Sequence, residues 1–368
     1  MRVIIIGSSI AGSAAAYLLS REGIEAVVYE QKSRKDIGKK VCANILTSMI
    51  KGILKDFGIN SKELIKNKYN SFNVLSKNKK LSFKTEEYEF DRVKLLEKLI
   101  KKAEAKGAKF FFNSSFKGFK KKEGKFSILL SKERKNFIDS CDFLIGADGA
   151  LSEVAKQSGL WNNRKFFLNL QAKVSRNSIK NKIYLPDKNG YNILLGKDFG
   201  YYSYIFSSKN RLVIGLGDRP ERNVKKQFEN LMKLLEIKRF KIEGALIPKP
   251  QVIGTKPGIF LIGDAGCQMK FSGGGIIPAL MAAKAVKEIL VDKDSKDYNR
   301  LNSRIRMNRL FTKFFENMSD KRADNILNIV KDKRFSSFPK YRDYISKTDL
   351  KKLLSPKLIL SVIINFFS

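Results

Sequence analysis

The chain has 368 residues, of which 43% are apolar, enough for two domains with real cores. Three scattered cysteines (Cys42, Cys141, Cys267), no histidine and no CxxC pair argue against a disulfide framework and a zinc site, and fit a reducing, cytoplasmic compartment. Lys+Arg outnumber Asp+Glu by 73 to 36, a net charge of +37, spread along the whole chain.

That charge has two readings: a lysine-rich composition, or a polyanionic partner. No nucleic-acid motif accompanies it, so a peripheral contact with an anionic membrane surface is favoured over nucleic acid. No run reaches the ~18–20 apolar residues that span a bilayer. The first residues run straight into a strand, so no signal peptide is expected.

Val3-Ile4-Ile5-Ile6 reads as a buried parallel strand, Ser13 to Ser20 as an alanine-rich helix closed by Gly23, and Ala26 to Tyr29 as a second strand. Such a βαβ unit with a glycine-bearing first turn lets the chain approach a pyrophosphate at the positive end of a helix. Gly7 and Gly12 hold the first and third positions of GxGxxG. Ser9 takes the second and leaves its backbone N–H available, with Ala11 in the same turn. Glu30 lies 18 positions beyond Gly12, where an acid takes a ribose hydroxyl pair. Together these predict dinucleotide binding.

A basic loop from Lys32 to Lys40 follows. Ile45 to Leu54 has helical spacing, and Tyr69 to Phe90 alternates like antiparallel strands. Asp91 is placed to cap a helix over 92–106, with Leu95, Leu96, Leu99 and Ile100 on one face and Gly107 at its end. Further strands are expected over 110–112, 118–119 and 126–130, with Lys120-Lys121-Lys122 at a hairpin tip, and over 143–146. From 161 to 250 the texture changes to short strands rich in Tyr, Phe and Ile, with one helix over 224–237. Ile259 to Ile262 returns to a buried strand, and Gly273-Gly274-Gly275 opens a helix over 276–290. The rest is helical and basic.

Three strand exits carry small or acidic residues: Gly7 to Gly12, Gly146-Ala147-Asp148-Gly149, and Gly263-Asp264-Ala265. Ligands bind at the carboxyl ends of parallel strands, so three exits can line one long ligand. In this order and spacing the chain resembles FAD-dependent enzymes of the para-hydroxybenzoate hydroxylase fold group, and more narrowly the geranylgeranyl reductase family. The resemblance covers residues 1–290. Gly7, Ser9, Ala11, Gly12 and Glu30 match the ADP-binding turn. Arg92 matches an arginine near the flavin, Asp148-Gly149 the pyrophosphate support, Gly263-Asp264 the ribityl segment, and Gly274-Gly275-Ile276 the stretch against the isoalloxazine. Lys40-Val41-Cys42 resembles the reductases' cysteine motif, and Tyr202-Ser203-Tyr204-Ile205-Phe206 their substrate motif, followed by Gly215-Leu216-Gly217. The chain departs from the pattern at Ser9, at Ala43-Asn44, at Tyr204 and Ser207 where the family has Trp and Pro, and over 266–272.

The resemblance implies an α/β protein. A Rossmann-like FAD-binding domain with a parallel sheet (1–68, 91–160, 251–295) is interleaved with a mostly antiparallel-sheet substrate domain (69–90, 161–250), before a helical basic C-terminal region (296–368). It further implies FAD as cofactor, a prenylated lipid as substrate, and reduction of isolated double bonds by hydride from reduced flavin plus a proton. The proton donor is Cys42, a tyrosine such as Tyr202 or Tyr204, a carboxyl, a water or the flavin. The electron donor is open among NAD(P)H, ferredoxin and others. By itself Cys42 reads as a small buried hydrophobe, the tyrosines also read as core, and Asp148 and Asp264 also as turn formers. Two other readings are a flavin monooxygenase of the same fold and a basic polyanion-binding protein with a vestigial FAD fold. The apolar run from Leu358 to Phe367, flanked by lysines, reads as a docked terminal helix or a shallow membrane contact.

Overall fold

The computed structural model describes residues 1–161 and 163–331. The strands expected to be buried, with β6 at the edge, form a parallel sheet of five: β1 (Arg2–Ile6), β2 (Glu25–Tyr29), β6 (Lys109–Phe111), β10 (Phe143–Gly146) and β16 (Ile259–Leu261). Their order is β16-β10-β1-β2-β6. Val3 to Ile5 and Val27-Val28 are fully buried, which is why β1 and β2 are continuous apolar runs and not alternating ones. On one face lie α1 (Ile10–Arg21), α3 (Arg92–Glu104) and α6 (Ile276–Lys287). Ala14, Leu18, Leu99, Leu280 and Ala283 share their core with Val3, Ile5 and Val28. Asp91 caps α3, accepting from Lys94 N–H at 3.0 Å.

The other face carries an antiparallel sheet of β7 (Ser114–Lys122), β8 (Lys125–Lys132) and β9 (Lys135–Cys141), and the short helix α4 (Glu153–Gln157). Phe126, Ile128 and Leu130 meet Ile4, Val27 and Leu144 there. Lys120 to Lys122 belong to β7, not to a hairpin tip. The tip is Glu123-Gly124, both at positive φ (51° and 79°), a conformation glycine supplies without steric cost.

A second sheet has eight strands in the order β15-β11-β14-β13-β12-β4-β5-β3. These are β3 (Ile45–Thr47), β4 (Ile65–Leu75), β5 (Lys80–Phe90), β11 (Phe166–Ser175), β12 (Gly190–Leu194), β13 (Tyr202–Ser208), β14 (Arg211–Asp218) and β15 (Glu243–Pro248). All its pairings are antiparallel except β4 with β12, where two separate excursions of the chain meet. The helical spacing over 45–54 is only partly realised. Ile45 to Thr47 pairs with β5 before α2 (Met49–Asp56) begins, because an available sheet edge outweighs the weak helical preference of Ile and Thr. With β4 starting at Ile65, this sheet reaches into the segment read from sequence as nucleotide-binding.

The outer face of the large sheet is covered by α5 (Val224–Leu234), whose Phe228 and Leu231 pack with Ile205 and Ile214. Its inner face looks toward the parallel sheet. The chain then continues through α7 (Lys296–Phe315) and α8 (Asp320–Val330). The apolar run over 358–367 lies outside the described residues. Among the described residues, no helix is long and apolar enough to cross a membrane, and no cluster of Cys, Asp and Glu could hold a metal ion.

Candidate active site

A cavity of about 740 Å³ lies between the two sheets. Every site residue named from the sequence lies on its wall except Gly12. The absence of Gly12 is instructive. A Cβ there would stand 2.0 Å from the Gly7 carbonyl oxygen, so the residue permits α1 to sit directly on the turn. Gly7 itself has φ +100°, and a Cβ on it would reach 2.5 Å from Ala147 O. The first two strand exits therefore approach closely enough for backbone to meet backbone.

Ser9 donates its hydroxyl to Ala147 O at 3.3 Å, so its side chain bridges the two exits. No side chain caps α1, and the amides of its first turn have no partner within the helix. Glu30 accepts on Oε2 from Ser8 N–H at 2.9 Å and Ser8 Oγ at 3.4 Å, and on Oε1 from Lys32 N–H at 2.9 Å. Oε1 keeps a lone pair for a ribose hydroxyl. A turn of glycine and small residues, uncapped amides and an acid at the rim fit the ADP half of a dinucleotide.

Asp148 accepts from Ser152 Oγ at 2.5 Å and from Val154 N–H at 3.1 Å. Burial raises its carboxyl above the usual range, while these donors pull it back. Its carboxylate thus stiffens the turn that carries Gly149. Asp264 is ion-paired with Lys40, on the loop that holds Cys42. Arg92 donates to the carbonyls of Gly38 and Lys40, so the arginine grips the backbone of that same loop. Lys40 thereby anchors the loop of the Lys40-Val41-Cys42 motif, a role its place in the sequence does not reveal.

Cys42 is half-buried on the cavity wall and accepts from Asn44 N–H at 3.3 Å. Asn44 has φ +58°. Asparagine tolerates this left-handed conformation, so it replaces a glycine without breaking the turn. The segment 266–272 becomes a plug. Gln268 accepts from Gly263 N–H at 2.8 Å and donates to Leu261 O at 3.2 Å. Cys267 is buried there, its thiol pushed up to about 11. Lys270 lies across Gly274, where a Cβ would stand 2.2 Å from its Cε. The glycine run is small because this lysine and Met269 cover it.

The tyrosines form a repeated device. Tyr202, Gly217 and Asn169 stand in one row across β13, β14 and β11; Tyr204, Gly215 and Gln171 stand in the next. Each ring lies down over its glycine. A Cβ on Gly215 would be 2.0 Å from Tyr204 Cζ, and one on Gly217 2.7 Å from Tyr202 Cζ. Tyr202 donates to Asn169 Oδ1 at 3.3 Å and Tyr204 to Gln171 Oε1 at 3.2 Å. Burial lifts both hydroxyls well above the usual tyrosine range, so both remain protonated donors. Tyr202 also abuts the glycine run, since a Cβ on Gly273 would be 2.8 Å from its hydroxyl. Tyr201 donates to Phe271 O at 2.9 Å and ties the sheet to the plug. Asn169 and Gln171 were not singled out from sequence. Their signal was two polar residues, two apart, on the same face of an apolar strand.

Beyond the tyrosines the wall is apolar, formed by Phe72, Val74, Phe83, Ile193 and Phe206. A polar, backbone-lined end and a greasy end therefore meet near Cys42 and Tyr202.

Residues 1–183 match the family model for the FAD binding domain. The chain binds FAD through this domain, and the residues above fit that cofactor. An uncharacterized protein of Methanosarcina barkeri (strain Fusaro) is 27% identical over 305 residues, which are 78% of this chain and 74% of that protein. Among solved structures, the fold is shared with a geranylgeranyl bacteriochlorophyll reductase-like protein of Thermoplasma acidophilum. That match has a TM-score of 0.77 and 18% identity, over 96% of this chain and 99% of that one. It is also shared with the flavin-dependent brominase Bmp2, with a TM-score of 0.72 and 14% identity, over 100% and 99% of the two chains. The p-nitrophenol 4-monooxygenase PnpA of Pseudomonas putida and the flavin-dependent halogenase CmlS have the fold as well.

Proposed function

We propose that this FAD-binding chain, built on the fold of flavin oxidoreductases, reduces isolated double bonds in prenyl (geranylgeranyl) chains of isoprenoid lipids. The observation that carries the reading is the two-ended character of this cavity. Its nucleotide end is lined by glycines, small residues and charged side chains, and its far end by phenylalanine, valine and isoleucine. A long apolar chain with no polar group near the reacting bond suits such a wall.

Bound FAD, once reduced by an external electron donor, would supply the hydride for such a reduction. The chain's own residues do the rest. Gly7, Ser9, Ala11 and Glu30 would hold the ADP half. Arg92 and Lys40 fix the loop that presents Cys42. Tyr202 and Tyr204, laid flat by Gly217 and Gly215, keep the wall smooth and shield it from water. Cys42, Tyr202 and Tyr204 stand at the junction and are candidates for the proton, beside a carboxyl, a water or the flavin. The chain's excess of Lys and Arg suits collection of the lipid from an anionic membrane surface.

The test is anaerobic reduction of the flavin-loaded protein, followed by incubation with a geranylgeranylated lipid. The expected product gains two hydrogens per double bond by mass spectrometry. Cys42→Ala should keep its yellow colour and slow the reaction. Because a monooxygenase has the same fold, oxygen consumption with a hydroxylated product, and no saturated one, would replace this reading.

A further inference from the structure

The far end of the cavity is closed by helices that follow the FAD-resembling part of the chain. Phe315 at the end of α7, and Ile326 and Leu327 on α8, line it together with Leu195 after β12. Ile326 and Leu327 are 9% and 2% exposed, and Ala323, one turn earlier, is fully buried. With Met318 and Leu195, Ala323 and Ile326 form a small core against Val74 and Ile193 of the large sheet, while Leu327 lines the cavity beside them. This face of α8 is therefore both core and wall.

The helix is held in register by a different stripe. Asp320, Asp324 and Asn328 recur every four residues, on one side of a helix. Asp320 accepts from Lys197 N–H at 3.0 Å, and a Cβ on Gly196 would be 2.7 Å from the same carboxylate oxygen. Asp324 is bonded to Ser76, and to Asn78 Nδ2 at 2.7 Å; Asn328 is bonded to Lys79. All these partners lie in two loops at the rim of the large sheet: the turn between β4 and β5, and the loop after β12. Three successive turns are pinned to the sheet that lines the cavity, which places Ile326 and Leu327 at one fixed depth.

We infer that α8 is the end wall of the apolar arm, and that Ile326 and Leu327 set the length of the chain it accepts. The inference rests on the proposed reading of this arm as the seat of a long apolar chain. It adds a specificity determinant outside every segment that the sequence resemblance covered. A larger side chain at 327 would shorten the arm and spare its near end; a smaller one would deepen it.

The experiment uses the full chain loaded with FAD. Affinities are measured by calorimetry for geraniol, farnesol and geranylgeraniol, each one isoprene unit longer, and for saturated alcohols of matched length. Leu327→Trp is compared with the parent, and Leu327→Ala serves as the variant that cannot overpack. Flavin content and thermal unfolding report whether each variant folds. The expected result is a loss of about tenfold or more for the longest alcohol with Leu327→Trp, since each excluded methylene forfeits ~0.8 kcal/mol. The shortest alcohol should bind unchanged, and Leu327→Ala should bind the longest more tightly than the parent does. A loss equal across the series, or none in a folded variant, overturns the inference and leaves the proposed function standing. Should no alcohol of any length bind the parent, the reading of the arm falls and the inference with it. If Leu327→Trp does not fold, Leu327→Ala decides: an unchanged length preference overturns the inference.

Discussion

The two ends of the cavity use glycine for opposite purposes. At the nucleotide end, Gly7 and Gly12 let backbone approach backbone, with Ala147 O and Gly7 O in the space a Cβ would need. At the apolar end, Gly215 and Gly217 make room for someone else's side chain, and the tyrosine rings fill it. The first use has no tolerance, because a carbonyl within a strand exit cannot move alone. The second has some, because a ring can swing about its χ angles. Substitution costs should differ accordingly.

The largest effect is expected from Gly12→Val. Its branched side chain meets a rigid carbonyl, so destabilisation of about 3 kcal/mol or more is expected, with loss of bound flavin. Flavin absorbance per polypeptide after purification measures it. Stoichiometric flavin would show that the turn yields, and would break the contrast.

Gly215→Ala should cost less, about 2 kcal/mol by denaturant unfolding, because Tyr204 can rotate away. Flavin content should stay near that of the parent. Loss of flavin here would mean that the two ends are mechanically one unit.

Glu30→Gln tests whether charge matters at the backbone end. The amide retains one acceptor for the turn but removes the negative charge. FAD affinity should fall about tenfold with the fold intact, the weight of one charge-assisted hydrogen bond. Titration of apoprotein with FAD reads it directly.

The smallest effect concerns a carboxylate of the large sheet. Burial raises Glu89 above its ordinary 4.5, against the opposing pull of the Ser208 hydroxyl and of Lys66 and Lys209. One of its oxygens is buried without a partner. A carboxyl raised in the folded state binds its proton more tightly folded than unfolded. Its contribution is therefore present at low pH and is lost as pH rises from 4.5 through the folded value. Glu89→Gln should flatten that part of the stability–pH curve and leave flavin content unchanged. A parallel curve would show that Glu89 carries no linkage.

Much of the backbone end was legible in the chain. Val3 to Ile6, Gly7, Gly12 and Glu30 lie within one contiguous unit, so spacing alone specifies the strand, the turn and the acid. Asp91 as a cap and the fully apolar strands were local signals too, since capping and two-sided burial act within a few residues. Where local signals competed with pairing, the sheet won: Ile45 to Thr47 left the helix their spacing suggested because β5 offered an edge. The apolar end was decided by tertiary structure. Asn169 and Gln171 matter only because register sets them across a glycine from Tyr202 and Tyr204. Arg92 and Lys40 hold the Cys42 loop through partners 52 and 224 positions away. The closing of the cavity by α8 depends on the β4–β5 turn, more than 240 residues earlier. A short repeat in sequence encodes contacts one turn or one strand away. A contact between residues hundreds of positions apart exists only once the folded sheets have brought them together.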